Sequence, residues 1–516
     1  MTSTKDYRAE AGDVLNGVYV LLRILGSGAN STVWLTWHPN HLQFYAIKVM
    51  RRRSRAEERA RNEIEALKTV RGKPGIVQYV EDFTVRSGTA IHVCIVTEVL
   101  GPNLATLIES TNYEEHRLDS YRQYLPWLRT VARGILEGLR SFEECQLAHS
   151  NVKPENVVVT RSQREICDDA LEVIDGILRK ETFPEDVISC GVERVYLSSD
   201  KIGSLERMKA QIERLKRTLR NEGNEVPQIK LVDLGNTVAV SSGSRSELQS
   251  SLYRSPEVIL CEESGLAAGI FSAACTLFEL ATGKYLLEAE VPEGCNHHQR
   301  CFAHLQLMAR IINNFDFSSL KDGKWYSDFF DEFGKFKIYT TEDPGTMSVN
   351  EDSTVAEQSG QHSEVQSMHD SNEDVWYQFG RTAPIISARP TVGFYRFEMD
   401  ENGCLLLIIP NAPSPIKVVY WAGVVTVMRD EYNFGPRLLN ELISCYGWGE
   451  PLARNFTQFL ETVPLCPIRN QLVTLFGWEA KKAKQFARFL MFMLRIDPKK
   501  RATTQECLEH PWLSEI

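Results

Sequence analysis

Two short polar stretches constrain this chain more than any other feature of its sequence. The first is His149–Asn156, which reads His-Ser-Asn-Val-Lys-Pro-Glu-Asn, and the second is Lys230–Asn236, which reads Lys-Leu-Val-Asp-Leu-Gly-Asn. A long interruption separates them in the chain. Any fold and function assigned to the protein must account for both stretches.

Composition sets the broad class. With 516 residues, of which 43% are hydrophobic, the chain is long enough for a large core divided over two lobes or domains. Its net charge of -10 argues against a general affinity for nucleic acid or anionic membranes and suits basic protein substrates. Twelve cysteines without a C-x-x-C pair, and a polar start over residues 1–13, predict a reduced intracellular protein without a signal sequence. The longest apolar runs, Cys404–Pro410 and Val418–Val427, are too short to span a bilayer and are typical of strands.

A glycine-containing turn organises the N-terminal part of the chain. Apolar and polar residues alternate over Val18–Lys48, which predicts two strands joined by a loop and followed by a third strand. The loop contains Gly26 and Gly28, where the missing side chains would let a phosphate approach the backbone amides. Ser31 stands where a third glycine would complete the usual pattern. Taken alone, this loop is equally compatible with a plain tight turn.

A lysine and a glutamate follow the turn. The next strand contains Tyr45-Ala46-Ile47-Lys48, and the predicted helix after it contains Glu63. A lysine at a strand end is usually a solvated charge, but the loop before it and the helix after it favour a lysine that Glu63 holds against nucleotide phosphates. Between them, Arg51-Arg52-Arg53-Ser54-Arg55 is either a nuclear-localisation patch or, as we favour, a solvated loop.

These motifs together resemble those of eukaryotic protein kinases. They are most similar to the SR-protein kinases, serine/threonine kinases that phosphorylate arginine-serine-rich splicing factors. The resemblance covers most of residues 14–338 and the final segment to Trp512, and it rests on Leu25–Leu35, Glu98–Gly101, Asp233–Asn236 and Phe278–Gly283. Members of that family also interrupt the kinase core between the catalytic loop and the Asp-Leu-Gly turn. The resemblance implies an α+β, bilobal protein-kinase fold with a β-rich N-lobe and a helical C-lobe that carries inserts.

The resemblance and the composition divide the chain into segments. We expect a flexible N-terminus over 1–13, a kinase N-lobe over 14–100, and a C-lobe over 101–338 with an insert at about 160–228. Residues 339–375 are acidic and poor in large apolar residues, which predicts a disordered insert. The remaining segments are a strand-rich insert over 376–437, a duplicated helical segment over 438–470 and the end of the C-lobe over 471–516.

The resemblance also implies roles for individual residues. ATP and Mg²⁺ are the implied cofactors, Asn151 and Lys153 the implied catalytic residues, and Asn156 and Asp233 the implied metal ligands. Nucleotide contacts are implied for the glycine loop, the lysine strand, the glutamate partner and the segment whose backbone binds adenine: Gly26, Gly28, Val33, Ala46, Lys48, Glu63, Glu98 and Leu100.

Three positions depart from the pattern of the family. Asn151 stands where these kinases have an aspartate base; its amide oxygen can orient a hydroxyl but cannot take the proton at neutral pH. Loss of a general base typically costs about 10²- to 10⁴-fold in rate, so residual transfer through positioning and electrostatics is allowed. Gly269 replaces an aspartate that would hold the catalytic loop from below. Lys284 replaces an aspartate that would help to hold basic substrates, and it would repel arginines.

Two further patterns concern the fold. In the family, the residues matching Glu257 and Arg501 form a structural pair, and we expect the same pair here. Within the first insert, an apolar stripe at helical spacing either binds a partner or, as we favour, packs against the parent domain. The stripe consists of Leu205, Met208, Ile212, Leu215 and Leu219.

One stretch near the C-terminus occurs twice. The apolar pattern over Leu442–Leu460 recurs over Leu472–Leu490 at a constant offset of 30 residues, 472 minus 442. The family has one such segment, so either a segment was duplicated or the sequence joins pieces that do not belong together. We expect the second copy in the core, because it alone continues into Arg501 and Trp512.

Three interpretations follow. The first is an ATP-dependent serine/threonine protein kinase, monomeric and of reduced activity, whose protein substrates would be of the arginine-serine-rich splicing-factor class. The second is a pseudokinase that binds nucleotide and acts as a scaffold or regulator. The third, motivated by the repeat, is a mis-assembled chain without kinase function. We expect no direct contact with nucleic acid or membrane, and a location in the cytoplasm, the nucleus or both.

Overall fold

The structure is a computed structural model. It describes residues 7, 9–51, 56–87, 90–110, 121–182, 199–219, 227–242, 249–262, 265–289, 296–312, 314, 316–332, 334, 336 and 468–514. It also describes the backbone of 396–399, 405–408, 416–421, 424–429 and 432–434. The chain divides into two compact units, the first made of 1–288, 316–327 and 472–516, and the second of 289–315 and 328–471.

A six-stranded sheet forms the N-terminal half of the first unit. Its strands run in the order β1-β2-β3-β4-β6-β5, and every neighbouring pair is antiparallel. Their bounds are β1 (Val14–Leu15), β2 (Tyr19–Ser27), β3 (Ser31–His38), β4 (Gln43–Met50), β5 (Tyr79–Ser87) and β6 (Ala90–Thr97). The alternation of apolar and polar residues over Val18–Lys48 thus corresponds to strands β2, β3 and β4.

The helices have the following bounds. They are α1 (Ala56–Thr69), α2 (Leu104–Ser110), α3 (Tyr121–Glu144), α4 (Gln163–Thr182), α5 (Ser199–Thr218), α6 (Pro256–Ile259), α7 (Leu266–Thr282), α8 (His297–Ile312), α9 (Tyr326–Phe329), α10 (Ile468–Thr474), α11 (Ala480–Met493), α12 (Thr504–Leu508) and α13 (Pro511–Ser514). Among the described helices, none is both long and apolar enough to cross a bilayer.

The insert helices α4 and α5 cover one face of the sheet. One apolar cluster joins side chains of β2, β3 and β4 to side chains of both helices. Alternate residues of the same strands, such as Tyr19 and Leu21, belong to a different cluster on the opposite face. The predicted stripe from Leu205 to Leu219 belongs to the first cluster, so the expectation that it packs against the parent domain is confirmed. Leu25 and Val99 also pack against this cluster, which connects the insert to the glycine loop and to the segment after β6.

Two small antiparallel sheets position the polar stretches. The first stretch lies between β7 (Leu147–Ala148) and β8 (Val157–Val159), and the second begins within β9 (Ile229–Leu231) and ends before β10 (Val238–Ala239). Strand β8 pairs with β9 and β7 pairs with β10. Both stretches therefore lie between the same two pairings, which brings them together across the long interruption.

Helix α7 is the central helix of the first unit. All its residues from Ala268 to Thr282 are buried, which agrees with a sequence that is apolar on every side. It ends at Gly283, whose φ of 69° is in the left-handed region that favours glycine, and the Gly283 N–H donates to the Glu279 carbonyl at 2.7 Å. Helices α3 and α11 pack against α7.

The second unit contains α8 and a five-stranded antiparallel meander. Its strands are β11 (Arg396–Met399), β12 (Leu405–Ile408), β13 (Ile416–Trp421), β14 (Val424–Arg429) and β15 (Tyr432–Phe434), paired in sequence order. They lie in the stretch predicted to be strand-rich. Met399 pairs with Leu405 across residues 400–404, which lie outside the described residues.

The structure describes the second copy of the repeat. Leu472, Trp478, Phe486, Phe489 and Leu490 are all buried, as expected for the copy that belongs to the core. The first copy, Leu442–Leu460, and the acidic stretch 339–375 lie outside the described residues.

Candidate active site

The side chains of Lys48, Glu63 and Asp233 meet between strand β4, helix α1 and the turn after β9. The Lys48 ammonium donates to both carboxylate oxygens of Glu63, at 2.7 and 2.8 Å, and to Asp233 Oδ1 at 2.7 Å. Helix α1 packs against the Leu234–Asn236 turn, which is why Glu63 and Asp233 reach the same ammonium. The structure thus brings together one residue predicted for phosphate contact, its predicted partner and one predicted metal ligand.

The charges of these three groups depend on one another. Burial alone would lower the pKa of Lys48, but the neighbouring Asp233 and Glu63 outweigh it and raise that pKa. The Lys48 ammonium in turn lowers the pKa of Asp233. Burial raises the pKa of Glu63, and Lys48 opposes that effect. At neutral pH Lys48 is therefore a cation and Asp233 an anion, the states needed to contact phosphate and a divalent cation.

His149 connects the two polar stretches. It is buried, and burial lowers its pKa, so the imidazole is neutral near pH 7. Its Nε2 lies 3.0 Å from the Val232 carbonyl, which can only accept, so the proton is on Nε2. Nδ1 then accepts from the Asn151 N–H at 3.4 Å. The first stretch is thereby attached to the residue before Asp233.

Asn151 and Asn156 are both buried and bonded to each other. The Asn156 amide nitrogen donates to the Asn151 carbonyl at 2.9 Å, and Asn151 Oδ1 accepts from the Ser250 hydroxyl at 3.1 Å. Because its nitrogen is used in this bond, Asn156 has its amide oxygen available as a metal ligand. Lys153 lies 3.9 Å from Glu155 and helps to lower the pKa of Asp233, so its charge acts on the same site.

The glycine loop is open on the side of the missing side chains. A Cβ atom built on Gly26 or Gly28 would meet no atom within 4 Å, and neither residue has a positive φ. The protein's own packing therefore does not require glycine at either position. A ligand that approaches these backbones closely would require it. Val33 lies opposite Lys48, and Ala46 lies between Leu35 and Thr97 in the same sheet.

The segment after β6 has the groups that adenine recognition uses. Among the described residues, no hydrogen bond uses the main-chain N–H or C=O of Leu100. The Glu98 N–H donates to the Gln78 carbonyl at 3.1 Å, and the Glu98 carboxylate accepts from Lys230 at 2.6 and 2.7 Å. The side chain of Glu98 thus attaches this segment to strand β9, a contact that the sequence analysis did not predict.

At Gly269, where the family pattern has an aspartate, the space for a side chain is tight. A Cβ atom on Gly269 would lie 3.1 Å from Cδ2 of Leu139, which is buried on α3. Ser150, in the loop above, is buried with a φ of 51°. No hydrogen bond between described residues uses the Ser150 N–H. The loop 149–156 therefore receives no side-chain support from position 269, where the family pattern has an aspartate.

Acidic side chains lie near the end of α7. Glu279 accepts a hydrogen bond from the Tyr253 hydroxyl at 2.5 Å. Burial, with Glu155 and Glu288 adding to it, raises the pKa of Glu279 to about 7. Lys284 is exposed and has no ion pair with any described residue.

The predicted pair of Glu257 and Arg501 is confirmed, at 2.6 and 2.9 Å.

Comparisons with known proteins agree with this geometry. The protein kinase domain family matches residues 19–175. A crystal structure of a kinase domain superposes with a TM-score of 0.51 at 18% identity, covering 99% of each chain, and this shows the fold. The chain therefore has the protein-kinase fold.

The relatives narrow the class. The chain is 26% identical to the serine/threonine-protein kinase spk-1 of Caenorhabditis elegans, 27% to the serine/threonine-protein kinase SRPK of Physarum polycephalum, and 24% to SRSF protein kinase 3 of Mus musculus. These matches cover 63 to 65% of this chain, and 43%, 77% and 78% of the three relatives. The chain is therefore similar to protein kinases of the SR-protein-kinase type.

The donor set fits the cofactors of that class. Asp233 offers an anionic carboxylate and Asn156 an amide oxygen, both ligand types that Mg²⁺ prefers. Lys48 offers a cation to phosphate groups, and the glycine loop leaves space for them beside its backbone. When bound, Mg-ATP supplies a phosphoryl group whose charge is partly neutralised by the metal. The roles assigned to individual residues remain predictions.

Sequence reasoning missed Gln249 and Ser250. The Ser250 hydroxyl bonds to Asn151, and Gln249 is a buried residue of the same segment. No spacing or periodicity points to them, because they lie in a serine-rich stretch that reads as an ordinary polar loop.

Proposed function

We propose that this protein binds ATP with Mg²⁺ and slowly transfers the γ-phosphate to serine or threonine hydroxyls of protein substrates. The observation that carries the proposal is the bonding of one ammonium, that of Lys48, to both Glu63 and Asp233. In this arrangement the proposed phosphate-contacting ammonium and the proposed metal-ligating carboxylate are adjacent. Gly26, Gly28, Val33, Ala46, Glu98 and Leu100 would complete the nucleotide site.

Asn151 accounts for the slow rate in this proposal. The substrate oxygen attacks the γ-phosphorus, the bond to the bridging oxygen of ADP breaks, and the hydroxyl proton passes to the transferred phosphate or to water. Asn151 would orient the hydroxyl by accepting its hydrogen bond, and Lys153 would stabilise charge on the phosphoryl group. An aspartate would in addition accept the proton, which typically contributes about 10²- to 10⁴-fold.

The substrate class follows from charge and from the relatives. Burial raises the pKa of Glu279, and the carboxylates of Glu155 and Glu288 lie close enough to add to that effect, so a basic peptide would be attracted to this end of α7. The mouse relative is named SRSF protein kinase 3, which favours arginine-serine-rich proteins as substrates. Lys284 would weaken that preference by repelling arginine. We propose basic serine-containing proteins as the class, in the cytoplasm or nucleus.

A second candidate function is that of a pseudokinase. The replacement of the base by Asn151 and the lack of support at Gly269 both favour it. In this case the protein would bind nucleotide and act through its surface as a scaffold or regulator.

A transfer assay separates the two. Phosphate transfer from Mg-ATP to an arginine-serine peptide and to a generic basic peptide is measured for the wild type, Asn151→Asp and Lys48→Met. Transfer by the wild type above the Lys48→Met background, with a rise in Asn151→Asp, supports the kinase. Activity in Asn151→Asp alone supports the pseudokinase. If no protein in the set transfers phosphate from ATP, and ATP raises the Tm of none of them, both proposals fail.

A further inference from the structure

The side-chain amide of Gln249 has a complete set of partners. Its Nε2 donates to the Ala268 carbonyl at 3.0 Å and to Ser272 Oγ at 2.7 Å. Its Oε1 accepts from the N–H of Ser255 at 2.8 Å and from the Ser255 hydroxyl at 3.1 Å. The Ala268 carbonyl can only accept and the Ser255 N–H can only donate, so the orientation of the amide is determined. Gln249 is 3% exposed, and a buried amide held in this way is rigid.

These partners attach the segment around Gln249 to one turn of α7. Ala268 and Ser272 lie on either side of Gly269 in that helix. Ser272 also donates to the Tyr253 carbonyl at 2.7 Å, so one hydroxyl holds the segment at two points. The link to α7 is therefore made at the turn where Gly269 carries no side chain of its own.

Ser250 continues this link to the catalytic loop. It follows Gln249 directly, and its hydroxyl donates to Asn151 Oδ1 at 3.1 Å. The Gln249 carbonyl accepts from the Arg254 guanidinium at 3.0 and 3.2 Å, which restrains the backbone between the two side chains. Because Gly269 has no side chain, support for the loop from α7 comes along another path, through Gln249 and Ser250.

We infer that Gln249 is the positioning residue for Asn151, through Ser250, in place of the missing side chain at position 269. Gln249 does not touch the reacting atoms. It holds Ser250 at the distance from which the hydroxyl orients the Asn151 amide toward a substrate hydroxyl. This inference rests on the proposed phosphate transfer, in which Asn151 orients the substrate.

The test compares Gln249→Met with Thr276→Val. Methionine keeps the length of the side chain and removes its four hydrogen bonds. Thr276 is the matched control, because it is equally buried on α7 and its hydroxyl donates to the Ser272 carbonyl at 2.9 Å, but it has no link to the loop. Ser250→Ala and Ser250→Thr form a second pair, in which only threonine retains a hydroxyl.

Hydrogen exchange of the catalytic loop gives a readout that does not need catalysis. The Asn156 N–H donates to the Lys153 carbonyl at 2.9 Å and reports on the loop. We expect the peptide covering 147–156 to exchange about tenfold faster in Gln249→Met and Ser250→Ala than in Thr276→Val and Ser250→Thr, at equal nucleotide affinity. If the wild type transfers phosphate, kcat should be about 10- to 100-fold lower in Gln249→Met and Ser250→Ala than in the wild type, with the KM for ATP unchanged.

The outcomes are distinct. Loop exchange in Gln249→Met and Ser250→Ala that equals the wild type overturns the inference, and so does an equal effect of Thr276→Val. Absence of phosphate transfer by the wild type overturns the proposed kinase activity, while the exchange result still decides whether Gln249 holds the loop.

Discussion

Replacing Arg501 by methionine would leave the carboxylate of Glu257 buried without its cation. The two side chains are 0% and 2% exposed and bond at 2.6 and 2.9 Å. The guanidinium also donates to three carbonyls: those of Arg495 at 2.9 Å, Ala267 at 2.8 Å and Ile496 at 3.3 Å. All five of its N–H groups are therefore used.

The magnitude follows from this geometry. Removing one partner of a buried ion pair costs about 3–5 kcal/mol, because the remaining charge stays buried. Loss of a donor at three carbonyls places Arg501→Met at the upper end of that range. A change of 1 kcal/mol shifts the Tm by about 2–4 °C in domains of 150–250 residues, so we expect a fall of about 5–10 °C in this longer chain.

Thermal unfolding of four proteins measures the effect. Lys500→Met is the control, since this neighbour is 76% exposed and its ion pair with Asp497 is on the surface. The double variant Glu257→Leu, Arg501→Met should regain most of the lost stability, because replacing both partners by apolar residues is often neutral. A Tm for Arg501→Met close to that of Lys500→Met, or a double variant no more stable than Arg501→Met, would refute the reasoning.

Three further predictions concern other parts of the first unit. Glu279→Gln should raise stability more at pH 8 than at pH 5. The pKa of Glu279 is about 7 in the folded protein and 4.5 as its usual value, so the free energy of unfolding of the wild type falls by up to about 3 kcal/mol as the pH rises through this interval. Urea unfolding at both pH values tests this, and an equal gain at each would contradict it. Ile212→Ala should lower the free energy of unfolding by about 2–5 kcal/mol, because this fully buried residue of α5 packs in the apolar cluster between the sheet and the insert helices. Replacing the exposed neighbour, Glu213→Ala, should change it little. Equal urea midpoints for the two variants would contradict this packing. Gly75→Ala should destabilise the protein more than Gly72→Ala. Both glycines have φ above 60°, but only at Gly75 would a Cβ atom lie 2.6 Å from a backbone atom, the nitrogen of Gly138. Similar melting curves for the two variants would show that the close approach is not rigid.

Local patterns predicted the parts of the molecule in which neighbours in sequence are also neighbours in space. The alternation over Val18–Lys48 predicted β2, β3 and β4, because a strand in a sheet exposes successive side chains to opposite faces. The helical spacing of Leu205 to Leu219 predicted an apolar face on α5, but periodicity carries no information on which surface covers that face.

Resemblance to a family extended the prediction to distant residues. Lys48, Glu63 and Asp233 were expected in one site because the motifs matched in register. In the structure, the Lys48 ammonium bonds to both Glu63 and Asp233. Where the chain departs from the family, this source of prediction failed. Nothing in the sequence indicated that Leu139 fills the space beside Gly269 or that Glu98 pairs with Lys230.

By itself the sequence determined the class of fold, the strands of the N-terminal sheet and the residue types available for chemistry, since these follow from short-range periodicity and from motifs of a few residues. Only the tertiary structure decided which partners those residues have. Ser250 lies 99 residues from Asn151 along the chain, and the hydrogen bond between them requires the β7–β10 pairing and the packing of α7, which bring the two segments together. Hydrogen bonds depend on distances of a few tenths of an ångström, and such distances are properties of the packed chain rather than of any segment of it.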